Sequence, residues 1–394
     1  MASTVRQLIR PVARQSRPQT SRSCYRCLQT KVHDQGIPPY AFAFDIDGVL
    51  LRSSTPLPGA RNALRYLQRQ RVPFILLTNG GGRSETERVQ DLSEKLDVEL
   101  DVSMFVQSHT PFAEMEEYKG GDKTVMVVGG DYDKCQRVAS EHYGFGNVVT
   151  PADIVARYPD IWPFSKVFMD YYKAFAKPLP SPINPAASAT LKIDGIFVYN
   201  DPRDWGLDSQ IILDLLLSEQ GKLGTLSKKN GDKSLPNNGY LQDGQPSLYH
   251  SNPDLWWASS YPLSRLGQGG FRAAFEGLWS TVTGGAKLEQ TVMGKPHQPT
   301  YEFAEKKLRR HRKALFGHVG LNDPLRRVYM VGDNPESDIR GANNYQSPHG
   351  SEWKSILVKT GVYQEGTTPS VQPTVIVGDV GEAVRWAVED ALEL

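Results

Sequence analysis

Ala41-Phe42-Ala43-Phe44-Asp45-Ile46-Asp47-Gly48-Val49 is the stretch that decides how this chain is read. Four consecutive apolar residues stop at a carboxylate, and a second carboxylate follows two positions on. An apolar run without alternation suits a central parallel strand covered on both faces. Working outward, residues 59–70 carry Ala60, Ala63, Leu64 and Leu67 on one side of a helix. Phe74 to Leu77 reads as a second buried strand, running into Thr78-Asn79-Gly80-Gly81-Gly82. Ser84-Glu85-Thr86-Glu87 has the form of a capping box and opens another helix. The resulting β-α-β-α order predicts a doubly wound α/β sheet.

The same pattern returns near the other end. Val328-Tyr329-Met330-Val331 predicts a strand ending at Gly332-Asp333, followed by a helix from about Glu336, strands at 356–358 and 374–377, and a helix over 381–393. Between the two halves runs a second set of signals. Residues 125–128 and 193–199 read as strands, residues 207–217 as a helix, and the Gly/Asn/Ser/Lys/Pro-rich stretch from 221 as a long polar loop. One sheet domain with another inserted into it accounts for this order. The expected division is an N-terminal arm over 1–36, core over 37–108, inserted domain over 109–266 with the loop at 221–250, and core again over 267–394. No internal repeat is evident.

Composition narrows the classes. A chain of 394 residues with 39% hydrophobic content can bury a large core. Its net charge of +1 gives no overall field to draw in nucleic acid or an anionic membrane. No apolar stretch reaches the roughly 18 residues that span a bilayer. The three cysteines, Cys24, Cys27 and Cys135, do not make a disulfide framework. Cys24 and Cys27 have the spacing of a metal or redox pair, but they lack a second pair or suitably spaced histidines. They lie in an arm that contains Arg6, Arg10, Arg14, Arg17, Arg22, Arg26 and Lys31, with no Asp or Glu before Asp34. A basic, acid-free, hydroxyl-rich start has the composition of a mitochondrial transit peptide, and a matrix location is expected from it. A disordered basic tail is the alternative.

Ligands of open α/β sheets bind beyond the carboxyl ends of the strands. Here those ends carry Asp45 and Asp47, Thr78 and Asn79, and Asp333, with Gly294-Lys295-Pro296 between the second and third. These residue types suit one reaction. A phosphate monoester is anionic and repels nucleophiles, so its cleavage rests on positioning and charge neutralisation. Asp45 can serve as a carboxylate nucleophile, splitting the reaction through an aspartyl-phosphate. Asp47, two residues on and on the same face, can protonate the leaving oxygen and then activate water. Mg²⁺ takes oxygen ligands and keeps waters, so a few carboxylates suffice. Asp333 is the best partner for Asp45, and Asp338 a more distant or water-mediated ligand. Lys295 can neutralise nucleophile and phosphate. The Thr78 hydroxyl and the backbone N–H groups of Asn79 and Gly80 can donate to phosphate, near a favourable helix start.

Taken together, Asp45-Ile46-Asp47-Gly48-Val49, Thr78-Asn79, Lys295 and Gly332-Asp333…Asp338 resemble the four motifs of the haloacid dehalogenase (HAD) superfamily over residues 40–394. The resemblance implies a Rossmannoid doubly wound parallel-sheet core, Asp45 as nucleophile, and Asp47 as acid/base. It also implies Mg²⁺ on Asp45, the Asp47 main-chain oxygen and Asp333. An Asp at position 47 resembles the phosphatases of that superfamily rather than its ion pumps or dehalogenases.

The insertion between the second and third motifs resembles the C2-type α/β cap of class IIA, the NagD and 4-nitrophenylphosphatase-like group. Asn252-Pro253-Asp254 and Gly267-x-Gly269 match sequences ahead of the third motif there. Asn252 and Asp254 then stand near the substrate; an Asx turn is the alternative. Residues 107–112 and 199–205 resemble a mitochondrial branch, the cat-eye-syndrome-region type hydrolases. Some fungal relatives of that branch join this segment to a CDP-alcohol phosphatidyltransferase, which points toward glycerophospholipid precursors.

Two departures stand out. Gly80-Gly81 replaces the common Asn-Ser of the second motif, and Asn334-Pro335 follows Gly332-Asp333. His109 and His297 flank the predicted site and read as solvated or structural histidines. The expected activity is Mg²⁺-dependent hydrolysis of a small phosphorylated metabolite, with self-association left open. A catalytically quiet binding protein, or phosphotransfer to an acceptor other than water, are the alternatives.

Overall fold

The computed structural model describes residues 36–394, apart from positions 185, 187–189, 258–260, 262, 264 and 364. The basic arm, with Cys24 and Cys27, lies outside the described residues.

Strand β1 (Tyr40–Phe44) is buried along its whole length. Helix α1 (Ala60–Arg69) follows, burying Ala60, Ala63, Leu64, Tyr66 and Leu67. Then come β2 (Phe74–Leu77) and helix α2 (Glu85–Leu96). The capping box at the start of α2 is formed, with Glu87 N–H donating to Ser84 Oγ and Ser84 N–H to Glu87 Oε2, each at 3.3 Å. A short strand β3 (Phe105–Val106) completes this half.

The middle of the chain builds β4 (Gly120–Val128), β5 (Phe145–Val149), β6 (Gly195–Val198), helix α3 (Trp205–Leu217), β7 (Ser247–His250), helix α4 (Gln268–Thr283) and β8 (Thr291–Val292). The last part adds helix α5 (Gln298–Phe316), β9 (Arg327–Gly332), β10 (Glu352–Val358), β11 (Val375–Val377) and helix α6 (Val380–Asp390).

Two sheets result. The first has the order β11-β10-β9-β1-β2-β3, and every neighbouring pair is parallel. The second has the order β5-β4-β6-β7-β8, again parallel throughout. Both are doubly wound. In the first, the winding reverses between β1 and β9; in the second, between β4 and β6. Burial on both faces explains the unbroken apolar runs. One face of the first sheet sends Ala41, Ala43, Ile75 and Met330 against Tyr301, Ala304 and Leu308 of α5. On the other, Phe42 and Phe44 stack with centroids 5.3 Å apart, Phe42 packs on Tyr329, and Tyr329 meets Trp386 of α6 edge-on.

Three expectations change. The stretch read as a loop over 221–250 ends in β7, a strand near the middle of the second sheet. Only Leu248 and Tyr249 are apolar there, and the Gly/Pro-rich approach hides them. The return to the first sheet was expected at 267. Instead Phe271, Phe275 and Trp279 of α4 pack into the core of the second sheet, and β8 pairs with β7. We therefore place the return after Val292. The predicted helix from Glu336 is a wide turn over Pro335–Ile339, capped by Asn334 and leading into a short helix at Arg340–Asn344. Among the described residues, no helix is long and apolar enough to cross a membrane.

Candidate active site

The loops that leave the carboxyl ends of both sheets meet. Asp45 follows β1 and Asp333 follows β9, which puts them at the winding reversal of the first sheet. Lys295, arriving from the second sheet, is fully buried between carboxylates. Its Nζ donates to Asp45 Oδ1 at 2.6 Å and to Asp338 Oδ1 at 2.7 Å. Asp338 Oδ2 accepts the backbone N–H groups of Asp333 and Asn334, both at 3.1 Å. The Asp338 carboxylate is thus committed to Lys295 and to the turn after β9.

Asp333 Oδ2 accepts the Val362 N–H at 2.6 Å. Gly48 crosses directly above it with φ +88°, and a Cβ there would sit 2.4 Å from Asp333 Oδ2. Only glycine supports both that dihedral and that approach. Oxygens of Asp45, Asp333 and Asp338 lie within 4.8 Å of one another.

The charges in this cluster do not balance. Three buried carboxyls share one ammonium. Lys295 is held well above the ordinary lysine range by Asp338 and Asp45, against the opposing effect of burial, so it stays charged. Burial, with Asp338 nearby, pushes Asp333 up to about 7. Burial also pushes Asp45 upward, with Lys295 opposing. Hard oxygen donors with excess negative charge fit a divalent cation such as Mg²⁺. Since Asp338 is occupied, Asp45 and Asp333 are the side chains left to face it.

Asp47 is reached by solvent, yet the protein around it still pushes its carboxyl upward, chiefly through burial. Its Oδ2 leans toward Gly80, 3.9 Å from where a Cβ on that residue would be. The Thr78 hydroxyl oxygen accepts the Gly80 N–H at 2.9 Å. That N–H is therefore used within the loop, while the Thr78 proton stays available to donate.

Asn79 does something the sequence did not suggest. Its side chain pairs with the Lys295 backbone, Oδ1 accepting the N–H at 2.7 Å and Nδ2 donating to the carbonyl at 2.9 Å. Nδ2 also donates to Asp254 Oδ2 at 3.1 Å. Gly294, at φ +89°, lets the chain turn between Pro253 and Asn79. Asp254 accordingly reaches the centre. Asn252 does not: its Oδ1 caps Asp254 N–H at 2.8 Å in an Asx turn, as the alternative reading had it.

Sequence reasoning missed Gln268, the unnamed residue of Gly267-x-Gly269. It accepts the Asn252 N–H at 3.0 Å and donates to Ser251 Oγ at 3.1 Å, bracing that turn. His109 is fully buried, which removes the solvated reading. His297 is partly buried.

Comparison with known proteins agrees with this geometry. Residues 42–145 match the family described as haloacid dehalogenase-like hydrolase, and residues 292–383 one described as HAD-hydrolase-like. Mitochondrial hydrolase YKR070W of Saccharomyces cerevisiae is 40% identical over 366 residues, covering 89% of this chain and 95% of that protein. A cardiolipin synthase (CMP-forming)/mitochondrial hydrolase fusion protein of Schizosaccharomyces pombe is also 40% identical, over 94% of this chain; the match spans 57% of the fusion's length. Among solved structures, a p-nitrophenyl phosphatase from Archaeoglobus fulgidus aligns with TM-score 0.53 at 15% identity, covering 88% of this chain and 98% of that one. At that identity the likeness speaks for the fold.

Two outcomes follow from the burial of these groups. Lys295→Met leaves Asp45 and Asp338 without their cation. Urea denaturation at pH 7.5 should find it less stable than wild type by about 3–5 kcal/mol. Carboxyls whose folded pKa is raised lose stability as pH climbs through it, so the deficit should shrink toward pH 4. A deficit that is flat with pH would contradict the buried-pair account.

Asp254 is pushed up to about 6, mainly by burial, with the Asn79 hydrogen bond opposing. Ionising it therefore costs stability between its unfolded value near 4 and pH 6. Asp254→Asn should be more stable than wild type by about 1–3 kcal/mol at pH 8 and no different at pH 4. Equal stabilities at both pH values would show that the carboxyl ionises without penalty.

Proposed function

This chain belongs to the haloacid dehalogenase-like hydrolases, and on that premise we propose that it is a Mg²⁺-dependent phosphatase. The substrate class is a small phosphate monoester, cleaved through an aspartyl-phosphate on Asp45. The observation that carries this reading is Asp45 at the winding reversal, bound to a buried lysine, with a second carboxylate two residues on.

Lys295 holds Asp45 Oδ1, which leaves Oδ2 to attack phosphorus. As the P–O bond to the leaving alcohol breaks, Asp47 gives it a proton. The upward shift of its carboxyl, caused chiefly by burial, favours the protonated form that the acid step uses. The same group, now ionised, takes a proton from the water that attacks the aspartyl-phosphate, releasing inorganic phosphate and restoring Asp45. The Thr78 hydroxyl donates to a phosphate oxygen. Asp338 keeps Lys295 in place, and we assign it this role in preference to metal ligation. Asp45, Asp333 and the Asp47 main-chain oxygen would hold Mg²⁺, which neutralises the negative charge gathered on the carboxylates and phosphate.

We also place the protein in mitochondria. The acid-free basic arm supports this, as do the names of the two relatives. Fusion of one relative to a cardiolipin synthase supports a substrate from glycerophospholipid metabolism.

Purified full-length protein should hydrolyse 4-nitrophenyl phosphate with Mg²⁺ and lose that activity in EDTA. Asp45→Asn should lower kcat by about a thousandfold or more. Asp47→Asn should lower it by roughly 10²–10⁴-fold while leaving phosphate affinity close to wild type. Wild-type protein as inactive as Asp45→Asn across a broad phosphate panel would overturn the phosphatase reading. Phosphate recovered on an acceptor other than labelled water would instead favour phosphotransfer.

A further inference from the structure

One buried polar network is not used by this mechanism. His109 is fully buried in the loop after β3, and Glu85, Thr110 and Tyr143 around it are each less than a tenth exposed. The Gly82 N–H donates to His109 Nε2 at 3.1 Å. His109 Nδ1 lies 2.7 Å from Tyr143 Oη, and the Tyr143 hydroxyl donates to Glu85 Oε1 at 2.5 Å. Thr110 Oγ1 donates to the same carboxylate oxygen at 2.8 Å.

The donor order along this chain has one solution. A backbone amide can only donate, so Nε2 must be the bare nitrogen. Nδ1 then carries the proton and gives it to Tyr143 Oη, whose own proton goes to Glu85. The Glu85 carboxylate therefore fixes the His109 tautomer through Tyr143. Burial lowers His109 to about 4, only partly offset by Glu85, so the ring is neutral at physiological pH. Glu85 is lowered overall: burial would raise it, and the Tyr143 and Thr110 hydroxyls oppose that by donating to its ionised form.

The network also crosses between the two sheets. Glu85 opens α2, beside the first sheet. Tyr143 packs into the second sheet's core with Val125, Val127 and Phe197. His109 stands between them and presses on the loop that follows Thr78. A Cβ on Gly81 would lie 2.8 Å from His109 Cδ2 and 2.7 Å from Ser108 Oγ. The space that a side chain would fill at position 81 is taken by groups from another loop. The departure from Asn-Ser to Gly80-Gly81 thus has a structural counterpart in His109.

We propose that His109 is a positioning residue: through a single ring tautomer, set by Tyr143 and Glu85, it clamps the Gly80–Gly82 loop and couples its shape to the second sheet. The proposal deepens the phosphatase reading and rests on it in one respect, that this loop receives phosphate.

The test has two arms. In the first, full-length protein labelled with ¹⁵N-histidine is examined by NMR, and the His109 signals are assigned by their loss in His109→Gln. The expected ring has a protonated Nδ1 and a bare Nε2, and Tyr143→Phe should change that pattern. A ring protonated at Nε2 overturns the clamp. In the second arm, inorganic phosphate binding and 4-nitrophenyl phosphate kinetics are measured. His109→Ala should weaken phosphate binding and raise KM about tenfold or more. His109→Gln, whose amide oxygen can accept from Gly82, should recover most of that loss. Tyr143→Phe should fall between wild type and His109→Ala.

If His109→Gln is as defective as His109→Ala and melts at the same lowered temperature, His109 is only packing and the proposal fails. Wild-type phosphate affinity in all three variants also overturns it. Wild-type protein that binds no phosphate yet shows the expected tautomer overturns the phosphatase reading and leaves the clamp standing.

Discussion

The ammonium of Lys295 is the constraint around which the rest is arranged. It is buried between two carboxylates, one after β1 and one in the turn after β9. Removing such a charge from water costs several kcal/mol, and the cost is recovered only where the partners are in place. Asp45, Asp338 and Lys295 arrive on three segments far apart in the chain, so all three must be correctly placed together. The neighbouring bonds serve that demand. Gly294 N–H is held by Thr300 Oγ1 at 2.8 Å, and Asn79 fastens both backbone polar groups of Lys295. An apolar residue in place of Lys295, with apolar partners, would fold at less cost. Keeping the charges suits a site that must position a carboxylate rather than one that only fills space.

The parts of this fold that could be read from sequence are those where burial leaves a local mark. A strand covered on both faces is a continuous apolar run, and its polar end marks the side on which ligands gather. Phe44-Asp45 and Val331-Gly332-Asp333 are therefore legible, and so is the Ser84–Glu87 cap. β7 was not, because Ser247 and His250 break its apolar character. Nor was the allegiance of α4: an amphipathic helix announces that it covers something, not which sheet. Within Asn252-Pro253-Asp254, two similar side chains diverge, one closing its own turn and the other reaching Asn79. Local pattern cannot separate them, since the difference lies in what happens to be opposite. His109 is the extreme case. Its partners are 34 positions away at Tyr143 and 27 at Gly82, and nothing periodic connects them.

The inserted sheet does more than cover the first. It too is doubly wound, and its winding reverses between β4 and β6, where a Cβ on Gly129 would lie 2.0 Å from the Asn200 carbonyl oxygen. The Asn200 side chain in turn stands against Gly82. Two sheets of this kind each gather their polar loops at the carboxyl ends of the strands. Set facing one another, they place both sets in one seam. The first sheet brings the carboxylates, and the second brings Asp254 on a turn braced by Gln268.

Asn79 is where the two contributions become one. Its carbonyl oxygen accepts from Lys295 N–H, and its amide nitrogen has donors for both the Lys295 carbonyl and Asp254. A primary amide has two N–H donors, so the arrangement leaves neither idle. A displacement of Asp254 by an ångström would lengthen its bond to Asn79, and the same amide fixes the backbone that carries Lys295. Groups that bind the rest of a substrate in the second sheet can thus influence the orientation of Asp45 without touching it. The His109 network forms a separate link between the same two sheets, ending on Gly82 in place of Lys295. The site is consequently held from both sides of the Thr78–Gly82 loop, by Asn79 at one end and His109 at the other.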